Sequence, residues 1–225
     1  MRGMTALWRT TVGIKILMAI TGIALVGFVV GHMAGNLKAF AGAESFNAYA
    51  EFLRDVGYPA LPHGGLLWIM RIGLLAAVLI HIWAAWKLTS LSRQARPVSY
   101  KKVDSQVFSY ASRTMRWGGV ILLAFIVYHL LHMTTGQVHA DFRHGDAYHN
   151  LIAGFQSPVV VGAYLLAVAA LAFHLHHGIW SMFQTLGANN PRYNHVRRPF
   201  AATIAIVSFL GFVIVPLAVQ LGILS

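Results

Sequence analysis

The stretch VGIKILMAITGIALVGFVVGHMAG, residues 12–35, decides the fold, because its 24 residues hold one charged side chain, Lys15, and one histidine, His32. At about 1.5 Å of rise per residue, a helix of this length crosses a hydrocarbon core about 30 Å thick. Similar apolar runs follow, and we predict five membrane helices near residues 12–35, 66–87, 117–135, 158–184 and 200–222. The first run is too long for a cleaved signal peptide. The sequence therefore predicts an all-α, polytopic membrane protein with residues 1–225 in a single domain.

The composition agrees with a membrane protein and limits the chemistry. The chain is 57% hydrophobic and only 10% charged, whereas a soluble domain carries about 25% charged residues. It has no cysteine, which excludes disulfides, iron–sulfur ligands from this chain and covalently attached haem.

The net charge of +11 is distributed as in a membrane protein, so we expect contacts with membrane lipid and no nucleic-acid partner. Thirteen of the seventeen basic residues lie near the start of helix 1 or the connections 2–3 and 4–5. The opposite side has four basic residues but five of the six acidic ones. By the positive-inside rule, we predict an inner-membrane protein with a cytoplasmic N-terminus and a C-terminus outside.

Each of the first four predicted membrane helices contains one histidine that needs an explanation, because ionisable groups are costly in hydrocarbon and usually functional there. These are His32, His81, His129 and His174. Helix rise places the first and third about 20–25 Å from the cytoplasmic boundary, and the second and fourth about 8 Å from it. Depth therefore pairs His32 with His129 near the outside and His81 with His174 near the inside, about 14 Å apart.

Two histidine pairs at two depths indicate two non-covalent b haems, each with both axial positions filled, an arrangement that suits electron transfer. Gly22 and Gly119 lie ten residues before His32 and His129, near the level of the inner pair. They either leave room for a porphyrin or allow close helix packing. Lys15 and Arg116 either hold haem propionates or are ordinary positive-inside anchors.

The identity of one ligand of the outer pair stays open. His132 lies one helical turn from His129, so either residue is a candidate ligand. We expect His176 and His177 to be propionate or water partners. The loop histidines, which we expect to be solvated, are His63, His139, His144, His149 and His195. Residues 45–54 and 146–155 in the two outer loops are predicted to form short surface helices.

Several stretches also resemble a known family: GHMAGNLKAF (31–40), FNAYAEFLR (46–54), Ile80-His81, Tyr128-His129, FHLHHGIWS (173–181) and Leu186-Gly187. They are similar to the cytochrome b558-type membrane anchor of succinate dehydrogenase (succinate:quinone oxidoreductase, complex II), in its five-helix, two-haem form. The resemblance implies a haem-binding four-helix bundle plus a fifth, peripheral helix. It also implies that the same four histidines ligate the haem irons.

The resemblance further implies partners that this chain does not encode. A flavoprotein and an iron–sulfur subunit on the cytoplasmic side would pass electrons from succinate to the inner haem, then to the outer haem and a membrane quinone, usually menaquinone. The anchor itself would lack the succinate-oxidising site. The predicted helices contain no Asp or Glu, which disfavours a carboxylate proton relay through the membrane and favours succinate oxidation over fumarate reduction.

The quinone candidates are polar groups expected near the outer haem: Asn36, Glu51, Arg71 and His132. Glu51 is either a proton carrier for the quinone or a solvated residue on a surface helix. Two other functions stay open. The chain is either a di-haem cytochrome of a fumarate reductase, nitrate reductase, formate dehydrogenase or hydrogenase, or a transporter without haem that uses a histidine relay.

Overall fold

The computed structural model describes residues 10–95, 110–188 and 190–225, with residues 110–114 described by their backbone alone. Within these ranges, five long helices are apolar enough to span a membrane. They are α1 Thr11–Leu37, α3 Gly65–Gln94, α4 Tyr110–His129, α6 Pro158–Thr185 and α7 Asn194–Gln220. Two shorter helices, α2 Gly42–Asp55 and α5 Ala147–Phe155, lie in the connections after α1 and α4. The described residues contain no strand, so the prediction of an all-α, polytopic membrane protein is confirmed.

Most helices run beyond the predicted apolar stretches. Helix α3 continues to Gln94 and α7 begins at Asn194, because the flanking polar residues are acceptable helix formers. Hydropathy marks the part of a helix that meets lipid, not the part that is helical. Both loop helices are present, but α5 is not a surface helix, because Leu151, Ile152 and Phe155 are buried in the core. Asp146 caps α5 by accepting a hydrogen bond from the His149 amide at 3.0 Å.

The four helices with the predicted histidine ligands pack as two pairs, α1 with α3 and α4 with α6. Helix α7 lies against α6 and α1, where its small residues Ala201, Ala205 and Ser208 are buried. Gly211 of α7 faces the sulfur of Met33 so closely that any side chain there would collide with it. The fifth helix therefore packs against α1 at Met33, the residue that follows His32.

The two ends of the bundle differ in character. At one end, here called the basic end, α1 and α7 begin and α3 and α6 end. The opposite end, here called the loop end, contains the two loop helices α2 and α5. Asn47 joins the two loop helices: its amide donates to Asp146 Oδ1 at 2.9 Å, and its carbonyl accepts from the Tyr148 amide at 2.9 Å. The bonds from the His149 amide and from Asn47 lower the pKa of Asp146. The loop end is therefore held together by hydrogen bonds of its own.

Candidate functional site

The outer pair joins α1 to α4. The ring centres of His32 and His129 are 5.8 Å apart and their planes cross at 80°. Phe28 stacks on His32 at 5.3 Å, and Phe125 stacks on His129 at 5.7 Å. Phe212 of α7 lies 5.9 Å from His32. Aromatic rings therefore surround both imidazoles of this pair.

The inner pair joins α3 to α6. The ring centres of His81 and His174 are 6.2 Å apart, at an interplanar angle of 57°. A Cβ placed on Gly22 would lie 3.6 Å from His81 Cε1, so Gly22 is level with the inner pair. Since Gly22 lies ten residues before His32 on α1, the two pairs are about 15 Å apart along the bundle.

The distance within each pair fits two imidazoles on opposite sides of one metal ion. Two metal–nitrogen bonds of about 2 Å, plus about 1 Å from each nitrogen to its ring centre, place the rings about 6 Å apart. The described residues contain no group of three or more His, Asp or Glu that could hold a metal on its own. Each pair therefore suits a metal whose other bonds come from a macrocycle, as in haem.

Thr21 is the hydrogen-bond partner of His81 on α1. Its Oγ1 lies 2.9 Å from the carbonyl oxygen of Leu17, 3.1 Å from that of Met18 and 3.1 Å from His81 Nδ1. With the hydroxyl proton donated to a carbonyl of the preceding turn, the oxygen can accept from His81 Nδ1–H. That arrangement suits a neutral ring with its lone pair on Nε2.

His174 has a buried Nδ1 with no hydrogen-bond partner among the described residues. Leaving a buried polar atom unsatisfied costs about 1–3 kcal/mol. An ordered water or a bound group commonly satisfies such an atom, so the inner pair has a polar atom available to one.

A network at the loop end connects His129 with other histidines. The Tyr164 hydroxyl lies 3.1 Å from His129 Nδ1 and 3.0 Å from His132 Nδ1. His129 is the last residue of α4, and His132 lies in the π-helical turn that follows it, Leu130–Thr134. Such wide turns are rare and frequently lie at functional sites.

His139 belongs to this network, and its predicted solvation is wrong. It is buried and stacks on His132 with ring centres 4.8 Å apart. Its Nε2 lies 2.8 Å from the Asn150 carbonyl oxygen, and its Nδ1 accepts from the Asp141 amide at 3.1 Å. The loop after α4 folds back over the π-helical turn. Gly154 makes room for it, since a Cβ there would come within 3.0 Å of both histidines.

The remaining histidines are less connected. His63 Nε2 lies 3.0 Å from a carboxylate oxygen of Asp55, and His149 Nε2 lies 2.9 Å from one of Asp141. His144 and His195 are exposed, as expected. The His177 ring lies 5.8 Å from Trp180, one turn beyond the inner pair.

The other residues predicted near the haems are a glycine in the bundle and two basic residues at its end. A Cβ on Gly119 would meet nothing within 4 Å, so open space adjoins it. Lys15 and Arg116 are exposed at the basic end. A cleft of about 360 Å³ opens there between α1 and α6, lined by Val12, Lys15, Met18, Ser181, Gln184 and Thr185.

The quinone candidates are dispersed. Glu51 is exposed and paired with Arg54 at 2.6 Å, and the Arg71 guanidinium lies 5.1 Å from the centre of the Trp68 ring. Asn36 is half-buried at the end of α1. Among the described contacts, only His132 of these four reaches the outer pair, through Tyr164. Sequence reasoning did not single out Tyr164 or Thr21.

The fold and the site define a class: a five-helix membrane protein with two levels of paired intramembrane histidines. Residues 92–215 match the family model described as succinate dehydrogenase/fumarate reductase transmembrane subunit. This match covers more than half of the chain, so the chain belongs to that family, as its sequence motifs predicted.

One characterised relative is the succinate dehydrogenase cytochrome b558 subunit of Bacillus subtilis (strain 168). The two chains are 27% identical over 171 residues, which is 75% of this chain and 77% of the relative. No solved structure matches the chain.

Proposed function

We propose that this chain is the di-haem cytochrome b subunit that anchors a succinate:quinone oxidoreductase in the membrane. The observation that carries the proposal is the spacing of the two imidazole pairs, 5.8 Å and 6.2 Å, on opposite helices of one bundle. The family match and the cytochrome b558 relative support the same function. Bound haem would supply reversible one-electron transfer at its iron.

The two histidines of each pair would together hold one haem, which would supply electron transfer and not oxygen chemistry. His32 and His129 would hold the outer haem; His81 and His174 would hold the inner one. Stacked Phe28 and Phe125 keep water away from the outer imidazoles. With about 15 Å between the pairs, electrons can pass from one level to the other.

The cleft at the basic end suits the carboxylates of the inner haem. Lys15 lies seven residues before Gly22, about 10 Å below the level of the inner pair. Its ammonium can form charge-assisted hydrogen bonds with propionates, and Ser181, Gln184 and Thr185 offer further polar contacts. Arg116, exposed at the same end, is a second propionate candidate.

The basic end is the proposed docking face for the iron–sulfur subunit and its flavoprotein in the cytoplasm, in agreement with the positive-inside rule. Electrons would enter at the inner haem, cross to the outer haem and reduce a quinone, menaquinone in the usual two-haem form, near the loop end. The five spans contain no Asp or Glu, which favours succinate oxidation over a fumarate reductase with a carboxylate relay.

His132 is the best supported quinone contact, because it is buried beside the outer pair. Asn36 lies four residues beyond His32 on α1 and is a second candidate. Glu51 and Arg71 would have to leave Arg54 and Trp68 to reach a quinone.

The decisive experiment is a reduced-minus-oxidised spectrum of the purified chain with haem b quantified per polypeptide. We expect two haems, and one haem in each of His32→Ala, His81→Ala, His129→Ala and His174→Ala. His63→Ala, at an exposed position, is the control and should keep both. One haem or none in the wild-type chain contradicts the proposal.

The same preparation separates the other functions. A histidine-relay transporter would show no Soret absorbance. Co-purification of a flavoprotein with succinate dehydrogenase activity distinguishes this function from the cytochromes of nitrate reductase, formate dehydrogenase and hydrogenase.

A further inference from the structure

We propose that Tyr164 is a positioning residue that gives His129 and His132 opposite tautomers, so that only His129 offers a lone pair on Nε2 to the outer haem iron. This inference rests on the proposed function, and it addresses how one of two neighbouring histidines becomes the ligand.

The geometry around the hydroxyl carries the proposal. Tyr164 Oη lies between two imidazole nitrogens of the same kind, 3.1 Å from His129 Nδ1 and 3.0 Å from His132 Nδ1. Among the described residues these two nitrogens are the hydrogen-bond partners of the hydroxyl, so its single proton goes to one of them and its oxygen accepts from the other. For neutral rings, the accepting nitrogen belongs to a histidine with its proton on Nε2. The donating nitrogen belongs to a histidine whose Nε2 is bare.

The histidine across the bundle determines which of the two rings donates to the Tyr164 oxygen and which accepts from its hydroxyl. The ring of His32 lies 5.8 Å from that of His129, the spacing of two ligands of one metal. The ring contacts of His132 are with Tyr128, His139 and Tyr164. His129 Nδ1–H therefore donates to the Tyr164 oxygen, and the Tyr164 hydroxyl donates to His132 Nδ1. This order leaves Nε2–H on His132, which cannot then ligate iron.

Packing holds the hydroxyl in this position. Tyr164 is buried, and Phe125 and Phe155 each meet its ring edge to face at 4.9 Å. The inner pair has a hydroxyl in the equivalent place, since Thr21 Oγ1 lies 3.1 Å from His81 Nδ1 and 2.9 Å from a carbonyl that can take its proton. The two haems would therefore have different hydrogen-bond acceptors on their ligands, a phenol on one and an aliphatic hydroxyl on the other.

An acceptor on Nδ1–H makes a ligating imidazole more basic and stabilises the oxidised metal. Tyr164→Phe keeps the ring and removes the acceptor. We expect this variant to retain two haems, with the midpoint potential of the outer haem raised, its low-spin electron paramagnetic resonance signal changed and the inner haem unaffected. Thr21→Val is the matched variant and should raise the midpoint potential of the inner haem alone.

Two further measurements do not depend on the folding of the tyrosine variant. His132→Gln should keep both haems. Nitrogen NMR of the histidine-labelled wild-type complex should show that the ring missing from His132→Gln is protonated on Nε2. Unchanged potentials and signals in Tyr164→Phe, loss of a haem in His132→Gln, or an Nδ1-protonated His132 would each overturn the proposal. Absence of haem from the wild-type protein would instead contradict the proposed function.

Discussion

Tyr49 of α2 packs its ring against Gly35 near the end of α1, so closely that a Cβ on Gly35 would lie 3.1 Å from Tyr49 Cε1. The ammonium of Lys38 lies 5.4 Å from the centre of the same ring. Gly35 belongs to the element GHMAGNLKAF and Tyr49 to the element FNAYAEFLR. Two of the most distinctive stretches of this sequence therefore meet in one contact, which fixes the first loop helix to the helix that carries His32.

Gly35→Ala should destabilise the protein by about 1–3 kcal/mol, because the added methyl group would overpack against the Tyr49 ring, which lies 3.1 Å from its position. Thermal unfolding in detergent measures the change. Gly27→Ala on the same helix is the control, since a Cβ there meets nothing within 4 Å. Tyr49→Leu combined with Gly35→Ala should recover part of the loss, and equal unfolding of the two alanine variants would contradict the contact.

Gly154→Ala should also destabilise the loop end by about 1–3 kcal/mol. Its Cβ would lie 2.9 Å from His132 Cε1 and 3.0 Å from His139 Nε2, and both rings are confined by their stacking. Hydrogen exchange at the end of α4 reports the loosening. Gly162→Ala, where a Cβ has no neighbour within 4 Å, should exchange as the wild type does.

The loop end should lose stability on acidification. Hydrogen bonds from the His149 amide and Asn47 lower the pKa of Asp146 from its ordinary value of 3.8. A lowered carboxylate pKa contributes stability that is complete above the ordinary value and disappears as the pH falls through the lowered one. Unfolding temperatures at pH 6 and pH 3 measure this loss, which Asp146→Ala should reduce. At neutral pH the same variant should cost about 1 kcal/mol through the lost helix cap.

Gly22→Leu should lower the occupancy of the inner haem and leave the outer haem bound. Its Cβ would already touch His81 at 3.6 Å, so a branched side chain would extend into the space beside that ring. Haem quantification measures the loss. Gly27→Leu, on the opposite face of α1, should keep both haems; a matching loss there would show a general packing defect instead.

Helix rise and the charge pattern were enough to predict which histidines would be neighbours, because a spanning helix turns sequence position into depth. The rings of His32 and His129, and those of His81 and His174, lie side by side as depth arithmetic indicated. Their role as ligands stays a prediction.

The burial of His139 and the role of Tyr164 were beyond prediction, for two physical reasons. His139 lies in a loop, where no periodicity relates sequence to burial. Tyr164 looks like an ordinary residue of an apolar helix, and one of its two partners, His132, lies in a π-helical turn that leaves no mark in the hydrophobic pattern.

The π-helical turn Leu130–Thr134 also limits how this bundle can be redesigned. Each residue of an ideal α-helix advances about 100° around the axis. A π-helical turn advances less than this per residue, so rebuilding residues 130–134 as regular α-helix with the same number of residues would rotate the segment that follows relative to Tyr164. A copy built from regular helices could retain His129 and still lose the neighbour that shares its hydroxyl.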